Sequence, residues 1–155
     1  MQTATTPQAL QIRRVIRAPR EKVFAAFASL EGMKPWFGPS AECRLSGELD
    51  FREGAGYRIV MENGCEGHGE AEGPYTVAGR YREIRPPEKV VFTWQWEGDP
   101  EWAGLESVVT VDLREVEGGT ELRLTQQGFP NEASRERHGH GWEGSLEKLA
   151  RACGG

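Results

Sequence analysis

Cysteine is scarce in this chain. There are three in 155 residues, and Cys43, Cys65 and Cys153 stand far apart. An odd number at such spacing builds no disulfide framework and points to a reducing compartment, so the cytoplasm is the expected location. Long apolar runs are missing as well: nothing approaches the ~20 residues that a membrane span requires. The opening MQTATTPQ lacks the positive start and apolar centre of a secretion signal, and residues 1–8 read as a frayed tail. Positive charge is short, with a formal net charge of −5. The arginines are scattered rather than gathered into a basic run, which excludes a nucleic-acid surface. Catalytic signatures are wanting too, with no G-x-S-x-G elbow, Walker loop, strand-borne G-x-G-x-x-G or H-E-x-x-H. Cys65 and His68, even with His138 and His140 as distant helpers, make a poor zinc set. No metal and no cofactor is expected.

What is present is a globular composition, 37% hydrophobic and 28% charged, which suits one soluble domain over residues 9–153. LQIRRVIRA, residues 10–18, alternates like a strand with Leu10, Ile12 and Ile16 on one face. That parity turns Arg14 inward. Either Arg14 is paired and partly buried, or a bulge brings Val15 inside instead, and the blander bulge is preferred. Pro19 suits the first turn of a helix that carries Val23, Phe24, Phe27 and Leu30 at helical spacing. Ser29 can cap a second short helix through LEGMKPWF, ended by Gly38 and Pro39.

From about 41 to 128 the pattern becomes six strands with Gly-rich turns, Gly118-Gly119 giving a hairpin signal. Short connections favour an antiparallel meander. Each strand has one apolar face, so one side of the sheet needs a cover. The closing segment supplies it, with Trp142, Leu146, Leu149 and Cys153 at helical spacing. Its interior glycines allow two readings. Either the helix begins near Gly141 after a loop, or Gly141 and Ser145 form a small face that leaves room beside the sheet.

GRYREIRPPEKVVFTWQWEG, residues 79–98, puts Phe92, Trp94 and Trp96 on one face of one strand. These rings either fill a core or line a cavity. Four strings carry a resemblance: IRRVIRAPREKVFAAF (12–27), MKPWFGP (33–39), GRYREIRPPEKVVFTWQW (79–96) and HGHGWEGSLEKLA (138–150). Together they resemble the START-related SRPBCC superfamily, and within it the activator of heat shock protein 90 ATPase homologue-like branch, often grouped with polyketide cyclases. The resemblance implies an α+β helix-grip fold, as in START and birch-pollen-allergen domains, whose curved sheet of about seven strands wraps a long C-terminal helix. It also implies a cavity for a small hydrophobic molecule, lipid-like or polycyclic.

Parity and that resemblance together select Trp36, Tyr57, Met61, Tyr81, Trp94, Trp96, His138 and Trp142 as the ligand lining. Tyr57, Tyr81, Glu83 and Gln126 fall on inward parity, and His138 lies one turn before Trp142. Such groups could hold an enolate or exchange a proton in a cofactor-independent cyclase or dehydratase, but no position is assigned as catalytic. A chaperone-partner domain is the weakest alternative, because the chain holds a single domain. The sequence leaves a homodimer open.

Overall fold

Strand residues alternate between a buried and a solvated face along most of the chain, and pairing those faces builds the molecule. The computed structural model describes residues 9–37, 44–61 and 75–154. In chain order they form β1 (Leu10–Ile16), α1 (Arg20–Ala25), α2 (Leu30–Met33), β2 (Leu45–Leu49), β3 (Gly56–Met61), β4 (Tyr75–Arg85) and β5 (Lys89–Trp96). A short 3-10 turn (Pro100–Trp102), β6 (Ser107–Val116), β7 (Gly119–Gln127) and α3 (Glu132–Gly154) follow. The seven strands lie in one sheet in the order β1-β7-β6-β5-β4-β3-β2, and every neighbouring pair is antiparallel. Consecutive strands from β2 to β7 are thus neighbours, the meander that short turns demand. The first strand closes onto the last.

The expected bulge in β1 does not occur. Its register runs unbroken from Leu10 opposite Gln126 to Ile16 opposite Thr120, so the parity of Leu10 carries through. Arg14 is half-buried on the inner side, while Val15 is 56% exposed. A long arginine stem can lie along apolar surface with its head in water, which makes the inward position tolerable. The bulge sits in β4 instead. Between Tyr81 opposite Phe92 and Glu83 opposite Val91 the register shifts by one residue. One extra residue inverts the parity beyond it. Ile84 therefore packs on the core, and Glu83, expected to face inward, pairs with Arg85 instead.

The glycines in the closing segment do not delay its helix. Asn131 accepts the Ser134 N–H at 2.8 Å, a side-chain cap that satisfies one orphan donor, and α3 runs from Glu132 to Gly154. One face buries Ser134, His138, Trp142, Ser145, Leu146, Leu149 and Cys153. That burial outweighs a glycine cost of roughly 0.5–1 kcal/mol each. At Gly139 an added Cβ would stand 3.3 Å from Leu10 Cδ1, whereas at Gly141 it would meet nothing within 4 Å. The reading in which the helix starts near Gly141 after a loop is thus overturned.

Ser29 caps α2 as expected, accepting from Gly32 N–H at 2.9 Å. The proposed end of that helix at Gly38-Pro39, and the pair Cys65 and His68, lie outside the described residues. No helix among the described residues is long and apolar enough to cross a membrane.

Candidate functional site

The inner face of β3, β4 and β5 presents Tyr57, Ile59 and Met61, then Val77 and Tyr81, then Val90, Phe92, Trp94 and Trp96, all buried. Large rings meeting at angles pack without filling space completely. Six of these sheet residues (Tyr57, Ile59, Tyr81, Val90, Phe92 and Trp94) join Phe27, Met33 and Phe37 around a cavity of about 10 Å³. That is room for roughly one water. No charged side chain lines it.

Of the eight residues selected from sequence, the structure brings Tyr57, Tyr81 and Trp94 to this cavity. The remaining five are buried around it but do not form its walls. Trp36 lies against Phe27, ring centroids 4.8 Å apart, and donates its Nε1–H to the Ala26 carbonyl at 3.1 Å. Trp142 abuts the walls from α3, with ring centroids 5.2 Å from Trp94 and 6.0 Å from Phe37. Phe27, Met33 and Phe37 escaped the sequence reading because they lie on α2 and on the turns before and after it. Their spacing marks an apolar face but not what that face covers. Phe92 shares the parity of Trp94 and could have been found by it.

Beside the cavity runs a buried polar network tying α3 to the sheet. Trp96 donates Nε1–H to His138 Nε2 at 2.7 Å. An indole nitrogen can only donate, so His138 Nε2 is unprotonated and Nδ1 carries the hydrogen directed at the Ser134 carbonyl, 2.7 Å away. The imidazole is thus neutral, with both nitrogens engaged, which suits it to fixing Trp96 rather than to moving protons. Trp142 donates to Gln126 Oε1 at 2.8 Å, and Gln126 donates to Ser107 Oγ at 3.0 Å. Ser107 completes the chain by donating to the Trp94 carbonyl at 2.9 Å. Gln126, expected on the inner face, is wholly buried and occupied in this way.

The polar groups of the cavity walls are differently placed. Tyr57 donates its hydroxyl to the Thr93 carbonyl at 2.5 Å. Burial, reinforced by Tyr81 and Glu106, holds that phenol well above the usual 10.0. Burial also raises Tyr81, whose hydroxyl has no protein partner among the described residues. Trp94 Nε1 is buried with no hydrogen-bond partner, a condition it shares only with Ser134 Oγ among the described residues. The walls thus offer donors and apolar surface, and neither a nucleophile nor an ion pair. Among the described residues no cluster of His, Cys, Asp or Glu could hold a metal.

A curved antiparallel sheet holding a long C-terminal helix, with two short helices after the first strand, is the helix-grip fold. Residues 17–154 match the family described as activator of Hsp90 ATPase homolog 1-like protein, and the chain belongs to it. The crystal structure of protein CV1439 from Chromobacterium violaceum is similar at 26% identity and a TM-score of 0.80, over 94% of this chain and 96% of that one. The AHSA1 protein of Silicibacter pomeroyi is 28% identical with a TM-score of 0.78, again over 94% and 96%. CalU16 from Micromonospora echinospora is 25% identical at a TM-score of 0.65, covering 92% of this chain and 74% of that protein. No curated protein sequence matches the chain.

Proposed function

We propose that this protein binds a small hydrophobic compound in the aromatic interior between its sheet and its helices. The observation that carries the reading is the uncharged wall around the cavity, nine apolar and aromatic side chains contributed by the turn between α1 and α2, α2 itself, the turn after it and three strands. Binding sites for small molecules are concave, mostly apolar and furnished with a few polar groups that orient the occupant. Aromatic side chains supply such walls because each offers large apolar area. The cavity as it stands is smaller than any such ligand, so binding enlarges it. Trp36, Met61, Trp96, His138 and Trp142, buried around these walls, would then become the outer part of the lining.

The test is mass spectrometry of gently purified protein for a co-purifying lipophile, joined to thermal melts with a panel of hydrophobic probes. A ligand that binds only the folded state raises the melting temperature with its concentration, by an amount set by the ratio of free ligand to Kd. Such a dose-dependent rise supports the reading. A panel that shifts nothing, with no compound recovered from the protein, overturns it.

A further inference from the structure

Three of the buried indoles around the interior have their N–H groups satisfied within the protein: Trp36 by Ala26, Trp96 by His138 and Trp142 by Gln126. Trp94 does not, although it is equally buried and forms part of the cavity wall. A buried donor without a partner is costly and uncommon, and such groups gather where something else is to be bound. The Tyr81 hydroxyl, on the same cavity, is a second donor without a protein partner, while the neighbouring Tyr57 hydroxyl is already spent on Thr93.

We infer that the occupant is a neutral aromatic carbonyl compound whose oxygen accepts a hydrogen bond from Trp94 Nε1, with Tyr81 as the second donor. This rests on the hydrophobic-ligand reading above and narrows it. Each part of the chemical class follows from the walls. Trp94 Nε1 can only donate and the Tyr81 hydroxyl can donate as well, so the ligand must offer an acceptor. The rings of Phe27, Phe37, Phe92 and Trp94 favour a flat aromatic body. With no charged side chain on the cavity, an anionic or cationic ligand would be buried without a counterion, which is strongly unfavourable.

The experiment compares three probes of one shape by isothermal titration calorimetry: acetylnaphthalene, isopropenylnaphthalene, which replaces the carbonyl oxygen by carbon, and naphthoate. The wild-type chain should bind the ketone roughly fivefold more tightly than the hydrocarbon, the worth of one hydrogen bond of ordinary strength. Naphthoate should bind more weakly than either. Trp94→Phe, which keeps a ring but removes the donor, should abolish the preference for the ketone over the hydrocarbon, the readout being the ratio of the two affinities because the smaller ring weakens both. Tyr81→Phe should reduce the preference in part and serves if Trp94→Phe fails to fold. A ketone preference undiminished in both variants overturns the inference, as does naphthoate binding as tightly as the ketone. Equal binding of ketone and hydrocarbon to the wild type overturns it while the hydrophobic-ligand reading stands. Absence of binding by all three compounds overturns the inference, while the hydrophobic-ligand reading is decided by the melts and mass spectrometry described above.

Discussion

The interior has two sides, and they are held together differently. On the α3 side, side-chain hydrogen bonds cross from helix to sheet, through Trp96 with His138 and through Trp142, Gln126 and Ser107. On the α1–α2 side Trp36 ties the turn after α2 to the end of α1 through the Ala26 carbonyl, and the Ser29 cap closes α2 on itself. Among the described residues no hydrogen bond or ion pair joins residues 20–37 to the sheet. Phe27, Met33 and Phe37 rest on it by apolar contact alone, and the cavity lies there. Hydrogen bonds have strict geometry and fix relative position, whereas apolar contact is non-directional and tolerates sliding. On the ligand-binding reading proposed above, the difference assigns α3 the part of rigid support and α1–α2 the part that would give way to a ligand.

That contrast can be broken most forcefully where the sheet supports the cavity wall. At Gly79 an added Cβ would stand 2.0 Å from the Thr93 carbonyl oxygen and 2.8 Å from Tyr57 Cε2. Gly79→Ala therefore forces backbone apart and displaces a wall residue, and we expect a loss of more than about 3 kcal/mol in urea denaturation. A loss below about 1 kcal/mol would mean that the strands relax easily and that this side owes little to close backbone approach. Next in size comes the polar side. Gln126→Leu keeps the bulk but strands the Trp142 donor and removes the donor to Ser107, for an expected cost of about 1–3 kcal/mol. A neutral outcome would show that α3 is held by packing alone, like α1–α2, and the comparison would collapse.

Much of this was legible in the sequence because period-2 and helical patterns report which face of an element is buried. The six strands from β2 to β7, the Ser29 cap and the buried rings of Phe92, Trp94 and Trp96 all follow from that. Where parity is interrupted the sequence is silent. The extra residue at Arg82 turned Glu83 outward, and nothing in YREIR announces it. Arg14 misled in the opposite direction, since of the two readings open there the preferred one is a bulge that the unbroken β1–β7 ladder excludes. The α3 start was hidden by glycines whose propensity is overridden by the tertiary burial of Trp142, Leu146 and Leu149. For the site, parity found sheet residues but could not say which helix faces them. Phe27, Met33 and Phe37 were therefore missed. Nor can a pattern show that Trp94 lacks a hydrogen-bond partner while Trp96, two residues on, has one.

The finest test of the comparison uses the two phenols of the cavity wall, which differ in one hydrogen bond. Tyr57→Phe removes a donor from the Thr93 carbonyl and should cost about 1 kcal/mol near neutral pH. Tyr81→Phe removes a hydroxyl that satisfies nothing in the protein and should change stability by less than about 0.5 kcal/mol. Alkali separates them further. Both phenols are raised above the usual 10.0 by burial, Tyr57 with added repulsion from Tyr81 and Glu106. Below that value neither group binds protons differently in the folded and unfolded chain. Above it the unfolded chain gives up phenolic protons that the fold retains, so stability declines as pH rises from the ordinary value toward the folded one. Urea midpoints measured from neutral pH to about pH 11 should fall steeply for the wild type, less for either variant and least for the pair. If the double variant loses stability over that range as fast as the wild type, the two hydroxyls are not buried in the folded chain. The cavity wall would then be open to water, and the side of the molecule assigned to ligand would have to be placed elsewhere.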